Sequence, residues 1–242
     1  MKSRLDLLLV ERALVDSREK AKALILAGQV LVNEQKVDKA GAPVAADARI
    51  EILQQLRYVS RGGLKLESAL EVFGIHPQDW VTIDIGTSTG GFADCLLQHG
   101  AARVHCVDVG DTQIAWRLKT DRRIVLHEHQ NARLIEPAAI GEEARLLVCD
   151  VSFISVTLLL DRFPPLLSAE GEMVILIKPQ FEVGRADVGK GGIVREESLH
   201  QFACDKIESA IRALGYETRI IPSPILGGKG NKEFLIHARH KT

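Results

Sequence analysis

The sequence predicts an α/β protein: a mostly parallel sheet of seven strands with its last pair antiparallel, preceded by a small α+β module. Three observations carry this prediction. From residue 81 onward, short apolar β-branched runs alternate with amphipathic helical stretches, the pattern of strands covered by helices on both faces. The run Trp80-Val81-Thr82-Ile83-Asp84-Ile85 leads through Gly86-Thr87-Ser88-Thr89-Gly90-Gly91 into a helical stretch at 92–97, the strand, glycine turn and helix that open a Rossmann-like sheet. The last two strands, near 216–221 and 234–238, are joined by a glycine-rich connection rather than a helix, which implies a hairpin at the sheet edge.

Residues 1–56 read as a module of their own. Leu5, Leu8 and Leu9 recur at helical spacing; Ser17 is placed to cap a second helix over 18–25, and Gly28 to end it. Val30-Leu31-Val32 then makes a strand, Asn33-Glu34 a turn, and residues 49–53 a second strand. Residues 57–63 form a linker opening a helix with Leu64, Leu66, Leu70 and Phe73 on its apolar side; Lys65 falls off that pattern. Residues 64–242 hold the sheet, with strands expected near 81–85, 103–107, 124–128, 145–149 and 173–177. Helices are expected near 90–99, 112–118, 153–161 and 195–214.

The 242 residues allow one large domain plus a small module, and 46% hydrophobic with 26% charged residues is ordinary for a globular chain. A net charge of −1 gives no global basic footprint, although residues 1–65 carry 12 Lys and Arg against 8 Asp and Glu. The four cysteines are scattered; Cys106 and Cys149 sit in apolar strand-like runs, so core packing and a reducing cytoplasm fit them. The N-terminus has no apolar signal core, and charges interrupt every run before it could span a bilayer, so neither secretion nor membrane insertion is expected. No metal is expected either, because the scattered cysteines show no ligand spacing.

Ligands of such sheets sit beyond the carboxyl ends of the strands. Ser88 stands where a dinucleotide fold has its middle glycine, which compromises close approach of a pyrophosphate and favours a ligand lacking one, S-adenosylmethionine being the candidate, beyond Asp84 and the turn of Gly86, Ser88 and Gly90. A tight turn that binds nothing is the plain alternative. Asp108 follows the second strand at a spacing suited to accepting from both ribose hydroxyls. Asn131 follows the third, where its amide could read an adenine edge; helix capping is equally open. Asp150 ends the fourth strand, and capping is its ordinary role there. Lys178 ends the fifth, in an apolar run where an unpaired ammonium costs about several kcal/mol. Asp150 could pair with it, and Lys65 and Glu233 could complete the set from outside the sheet. Two amines and two acids suit methylation of a hydroxyl: a lysine draws off the proton, while the carboxylates orient the amines and balance charge.

Arg4, Arg18, Lys20 and Lys22 form a candidate phosphate patch, with a solvated helix face as the reading that charge alone favours. The basic stretches 189–195 and 227–232 lie on the expected substrate side, and Lys190 and Lys229 are expected at RNA phosphates with Arg18, Lys22 and Arg61. Plain surface loops are the alternative.

Arg4-Leu5-Asp6, Ser17-Arg18-x-x-Ala21 and Gly28-x-Val30-x-Val32-Asn33 resemble the S4 RNA-binding domain, with Glu34 where glycine is common. Val59-Ser60-Arg61-Gly62-Gly63-x-Lys65, Asp84-x-Gly86-x-Ser88-Thr89-Gly90-Gly91-Phe92, Val107-Asp108-Val109-Gly110, Asp150, Lys178-Pro179-Gln180-Phe181-Glu182 and Gly230-Asn231-x-Glu233 resemble the TlyA family. That family joins an S4 domain to an FtsJ-like class I methyltransferase, and its sheet ends in the hairpin expected here. The resemblance implies S-adenosylmethionine-dependent 2′-O-methylation of cytidine ribose in 16S and/or 23S ribosomal RNA, with ribosomal RNA or ribosomal subunits as partner. It implies Lys65, Asp150, Lys178 and Glu233 as the catalytic tetrad, Lys178 being the base. Leu56-Arg57-Tyr58-Val59 departs from the Arg-x-Trp-Val of actinobacterial members, so the behaviour of that linker is not carried over. The family often bears the label hemolysin, but the sequence shows neither a long apolar span nor a barrel signature. A non-catalytic RNA-binding assembly factor is the other alternative, and the intact tetrad argues against it.

Overall fold

A computed structural model describes residues 2–52, 57–111 and 113–240. The chain divides into two compact units, residues 1–57 and 58–242.

The first unit runs β1 (Lys2–Arg4), α1 (Leu5–Glu11), α2 (Arg18–Leu26), β2 (Val30–Val32), β3 (Gln35–Lys36), β4 (Pro43–Ala45) and β5 (Ile50–Ile52). Leu5, Leu8 and Leu9 of α1 meet Leu24 and Ile25 of α2 in its apolar core. Ser17 Oγ accepts from the Lys20 N–H at 3.2 Å, capping α2 as its position in the sequence predicts. Asn33 and Glu34 both take positive φ, 49° and 66°, in the β2–β3 turn, so Glu34 occupies a backbone conformation that glycine adopts at less cost. Among its described residues the unit has five strands in two small sheets where two strands were expected. Strands of two or three residues are too short to show the alternation that reveals a strand in sequence. Leu53 and Leu56 lie outside the described residues.

The second unit begins with α3 (Gly62–Phe73), β6 (Val81–Ile85), α4 (Gly91–Gln98), β7 (Arg103–Val107), α5 (Trp116–Lys119) and β8 (Ile124–His127). It continues with α6 (Pro137–Ile140), β9 (Ala144–Cys149), β10 (Leu167–Ile177), α7 (Pro179–Glu182), α8 (Glu197–Ala213), β11 (Tyr216–Pro222) and β12 (Phe234–His240). The sheet order is β11-β12-β10-β9-β6-β7-β8. β12 runs antiparallel to both β10 and β11, and the remaining pairs are parallel. Side chains alternate between two apolar layers. Ile83, Ile85, Leu147 and Ile175 meet Ile207 and Ile211 of α8. Val148, Val174 and Leu176 meet Leu66 and Leu70 of α3 and Leu96 of α4 on the other face.

Two expected helices differ. The stretch 153–161 is not an α-helix; 3-10 turns cover Val156–Leu158, Leu160–Arg162 and Pro164–Leu166. Pro164 and Pro165 lack the N–H a continuing helix requires, and Ser155 Oγ takes the Thr157 N–H at 3.3 Å, favouring a local turn over propagation. The helix expected over 112–118 is the four-residue α5, and residue 112 lies outside the described residues. In the stretch 57–63, Tyr58 is buried in the core of the second unit, and the Val59 N–H donates to Asp94 Oδ2 at 2.7 Å. Among the described residues no helix is long and apolar enough to cross a membrane.

Candidate active site

The sheet reverses its order between β6 and β9, the point at which a doubly wound sheet opens a crevice beyond its carboxyl ends. Two hollows meet there. The larger, about 570 Å³, has Asp108, Asn131 and Phe153 in its walls. The smaller, about 190 Å³, is walled by Ser60, Lys65, Asp84, Phe92 and Lys178. Gly86, Ser88, Asp150 and Ser152 line both.

The turn after β6 forms the floor. Gly86 has φ 83°, and a Cβ on it would lie 2.7 Å from the Asp150 carbonyl oxygen, so the crossing chain from β9 dictates glycine here. The Ser88 N–H donates to Asp108 Oδ2 at 2.9 Å and the Gly110 N–H to Oδ1 at 3.2 Å. The backbone thus aims the Asp108 carboxylate, and each oxygen keeps acceptor capacity for a ligand. Asn131 Oδ1 accepts from the Arg133 N–H at 3.0 Å and so caps a 3-10 turn, while the residue stays on the wall of the larger hollow. Asp84 is fully buried; its Oδ2 accepts from the Ala93 N–H of α4 at 3.1 Å, and its Oδ1 has no hydrogen-bond partner among the described residues. Burial, and then the neighbouring Asp150 carboxylate, push the Asp84 carboxyl up to about 8.

Lys65, Lys178 and Asp150 line the smaller hollow, and each lysine is paired with a carboxylate. Lys178, where β10 ends, places Nζ 2.5 Å from Asp150 Oδ1 and donates to Ser152 Oγ at 2.7 Å. Lys65, in the first turns of α3, places Nζ 2.5 Å from Glu233 Oε2, just ahead of β12. The Lys65 and Glu233 side chains are only 10% and 2% exposed, so each ion depends on the other for its burial. Lys65 falls off the apolar pattern of its helix because it turns toward this partner rather than toward solvent. Glu233 is held closely: a Cβ on Gly227 would come within 1.9 Å of its Oε1, so only glycine lets the 227–230 turn close over the carboxylate.

The FtsJ-like methyltransferase family matches residues 58–240, and the S4 domain family matches residues 3–50. The chain belongs to the FtsJ-like methyltransferase family and carries an S4 domain. It is 42% identical over 240 residues to Hemolysin A of Brachyspira hyodysenteriae, spanning 97% of this chain and 98% of that one. It is 38% identical over 244 residues to the 16S/23S rRNA (cytidine-2′-O)-methyltransferase TlyA of Mycobacterium tuberculosis, covering 100% and 91% of the two chains. A solved structure from Streptococcus thermophilus superposes with a TM-score of 0.78 at 42% identity, covering 100% of this chain and 90% of that one.

The expected phosphate contacts are distributed over both units. In the S4 domain, Arg4 Nε and Arg18 Nε both donate at 2.9 Å to the buried carboxylate of Asp6, which they hold well below the usual carboxylate range, the Arg4 bond contributing most. Both guanidinium groups remain about half exposed, and Lys22 is half-buried on α2. In the FtsJ-like unit, Arg61 Nη2 donates to the Leu226 carbonyl at 2.5 Å, while Lys190 and Lys229 are exposed on adjoining turns. Asn231 joins those turns: its Nδ2 donates to Gly192 O at 2.8 Å and its Oδ1 accepts from the Val194 N–H at 3.0 Å. Its place two residues before Glu233 was legible, but not that it fastens two loops. Ser152 and Phe153 were likewise not singled out. Phe153 is 88% exposed at φ 70°, its ring 5.4 Å from that of Phe181, a conformation no local sequence pattern announces.

Proposed function

We propose that this protein transfers a methyl group from S-adenosylmethionine to the 2′-hydroxyl of a cytidine ribose in 16S and/or 23S ribosomal RNA. The observation that carries this reading is the pair of amines, Lys65 and Lys178, lining one small hollow that shares walls with a nucleoside-sized cleft. The activity for which the M. tuberculosis relative is named supports ribosomal RNA as the substrate. In this reading residues 1–56 bind RNA, 57–63 link, 64–242 catalyse, and the reaction takes place in the cytoplasm.

The walls fit the cofactor. Asp108 is aimed to accept from ribose hydroxyls, the Gly86–Gly90 turn offers backbone, Asn131 stands on the same wall with a side-chain amide for the base, and the unpartnered Oδ1 of Asp84 can accept a hydrogen bond from the amino group. When bound, the cofactor supplies a methyl group already activated on a sulfonium. The chain's own residues handle the proton. Lys178 acts as the free amine, its own ammonium proton having passed to solvent before the reaction: Nζ receives the proton from the 2′-hydroxyl as the O–H bond gives way to the O–C bond, while Asp150 and Ser152 fix the position of that nitrogen. Lys65, held by Glu233, is the second cation at the reacting oxygen. Phe153 offers an exposed ring at the mouth on which a base of the substrate can stack. Two lysines and Asp150 at one hollow, with Glu233 behind Lys65, favour turnover over a binding-only assembly factor.

The test is transfer of tritiated methyl from S-adenosylmethionine to unmodified ribosomal RNA or subunits. Wild type labels the RNA; Lys178→Ala falls to background while binding cofactor with unchanged affinity. Label at the wild-type rate in Lys178→Ala contradicts the assignment.

A further inference from the structure

The segment 150–156 leaves the end of β9, contributes Asp150 and Ser152 to the site, and is fastened to α7 at both ends. Its start is held by Lys178, the residue that caps α7. Its end is held by Glu182, the last residue of α7. Glu182 Oε1 accepts from the Val156 N–H at 2.8 Å, and Oε2 accepts from Ser155 Oγ at 2.5 Å and from Lys206 Nζ at 3.0 Å. Lys206 also donates to the Glu182 carbonyl at 2.9 Å, which roots the arrangement in the seventeen-residue helix α8. The Glu182 side chain is 2% exposed, so this carboxylate makes its bonds inside the fold and not to solvent.

Between the two fastenings Phe153 stands at φ 70°. A bulky residue there costs on the order of 1–3 kcal/mol and persists only where its surroundings hold it. A strained segment released at one end relaxes, and Asp150 and Ser152 are on that segment.

We propose that Glu182, with Lys206, is a positioning residue for methyl transfer: it clamps the far end of the 150–156 segment so that Asp150 and Ser152 stay against Lys178. It rests on the methyl-transfer reading above. Neither side chain lines the hollows, so the effect is on the placement of the base and not on cofactor or RNA affinity.

Glu182→Gln keeps the shape and removes the charge that holds Lys206; Ser155→Ala is the milder variant should the first fold poorly. In both, kcat falls, by roughly tenfold or more in Glu182→Gln, while cofactor Kd and the KM for RNA stay within about twofold. Amide exchange across 151–156 speeds up, and the double variant loses no more than Glu182→Gln alone, because both changes release one clamp. Lys206→Arg retains activity and Lys206→Met does not. Undiminished kcat in Glu182→Gln and Ser155→Ala, or a loss that appears in cofactor Kd, overturns the positioning role. Wild-type label on the same RNA separates the two readings: its absence overturns methyl transfer and the clamp's role together, whereas its presence beside an undiminished Glu182→Gln overturns the clamp alone.

Discussion

Asp84 holds its proton where an ordinary aspartate has lost it. Its carboxyl titrates near 8 in the folded chain, through burial and the nearby Asp150, against roughly 3.9 when unfolded. Between those values the folded state binds a proton that the unfolded state has released. This group's contribution to stability therefore declines as pH rises from about 4 to about 8 and is level above that. Urea unfolding across that range will show a steeper decline in wild type than in Asp84→Asn; parallel curves would contradict the assigned burial. Asp6 acts in the opposite sense. Its carboxylate is held low by Arg4 and Arg18, so its stabilisation is complete above about pH 4 and is lost as pH falls further. Phe153→Ala, which removes an exposed ring and keeps a Cβ at the same positive φ, should lower kcat/KM on RNA by about tenfold with cofactor affinity unchanged, measured by single-turnover kinetics and calorimetry. Lys178 and Asp150 were legible because a charged residue ending an apolar strand needs a partner on the next strand. Ser152 and Phe153 were not, because their placement follows from the clamp on the segment they occupy.

At the scale of elements, strands at 81–85 and 103–107 were readable to the residue, since each is a short stretch carrying β-branched residues that runs directly into turn formers, Gly86 after the one and Asp108 after the other. The stretch 153–161 was misread as an α-helix because its apolar content belongs to the core while its backbone is tied down by Ser155 and halted by two prolines. The turn at 227–230 has the clearest consequence. Gly227→Ala places a methyl group where the Glu233 carboxylate lies, which moves that carboxylate off Lys65. Methyl transfer should fall by an order of magnitude or more, with a thermal midpoint lowered by only a few degrees, because the turn adds little apolar burial. Full activity in Gly227→Ala would show that the Lys65–Glu233 contact is dispensable.

For the whole molecule, two units that share one chain divide gripping from chemistry in the proposed function, and the first of them carries 10 Lys and Arg against 8 Asp and Glu. A near-neutral chain can still bind a polyanion where its cations are grouped. Lys190 and Lys229 stand on turns joined through Asn231, so the double alanine variant should weaken RNA binding and flatten the slope of log affinity against log salt by up to about two. An unchanged slope would place those lysines away from the RNA. The domain order was legible through motifs spread over nearly the whole chain, while the loop-to-loop fastenings became visible only with side chains in place. The central claim is that two lysines and two carboxylates gathered at one hollow alkylate a sugar oxygen. The most direct measurement is nucleoside mass spectrometry of ribosomal RNA after incubation with the cofactor and either wild type or Lys178→Ala. The account predicts 2′-O-methylcytidine from wild type and none from the variant; a methyl group found on a base instead, or formed equally by both proteins, would contradict it.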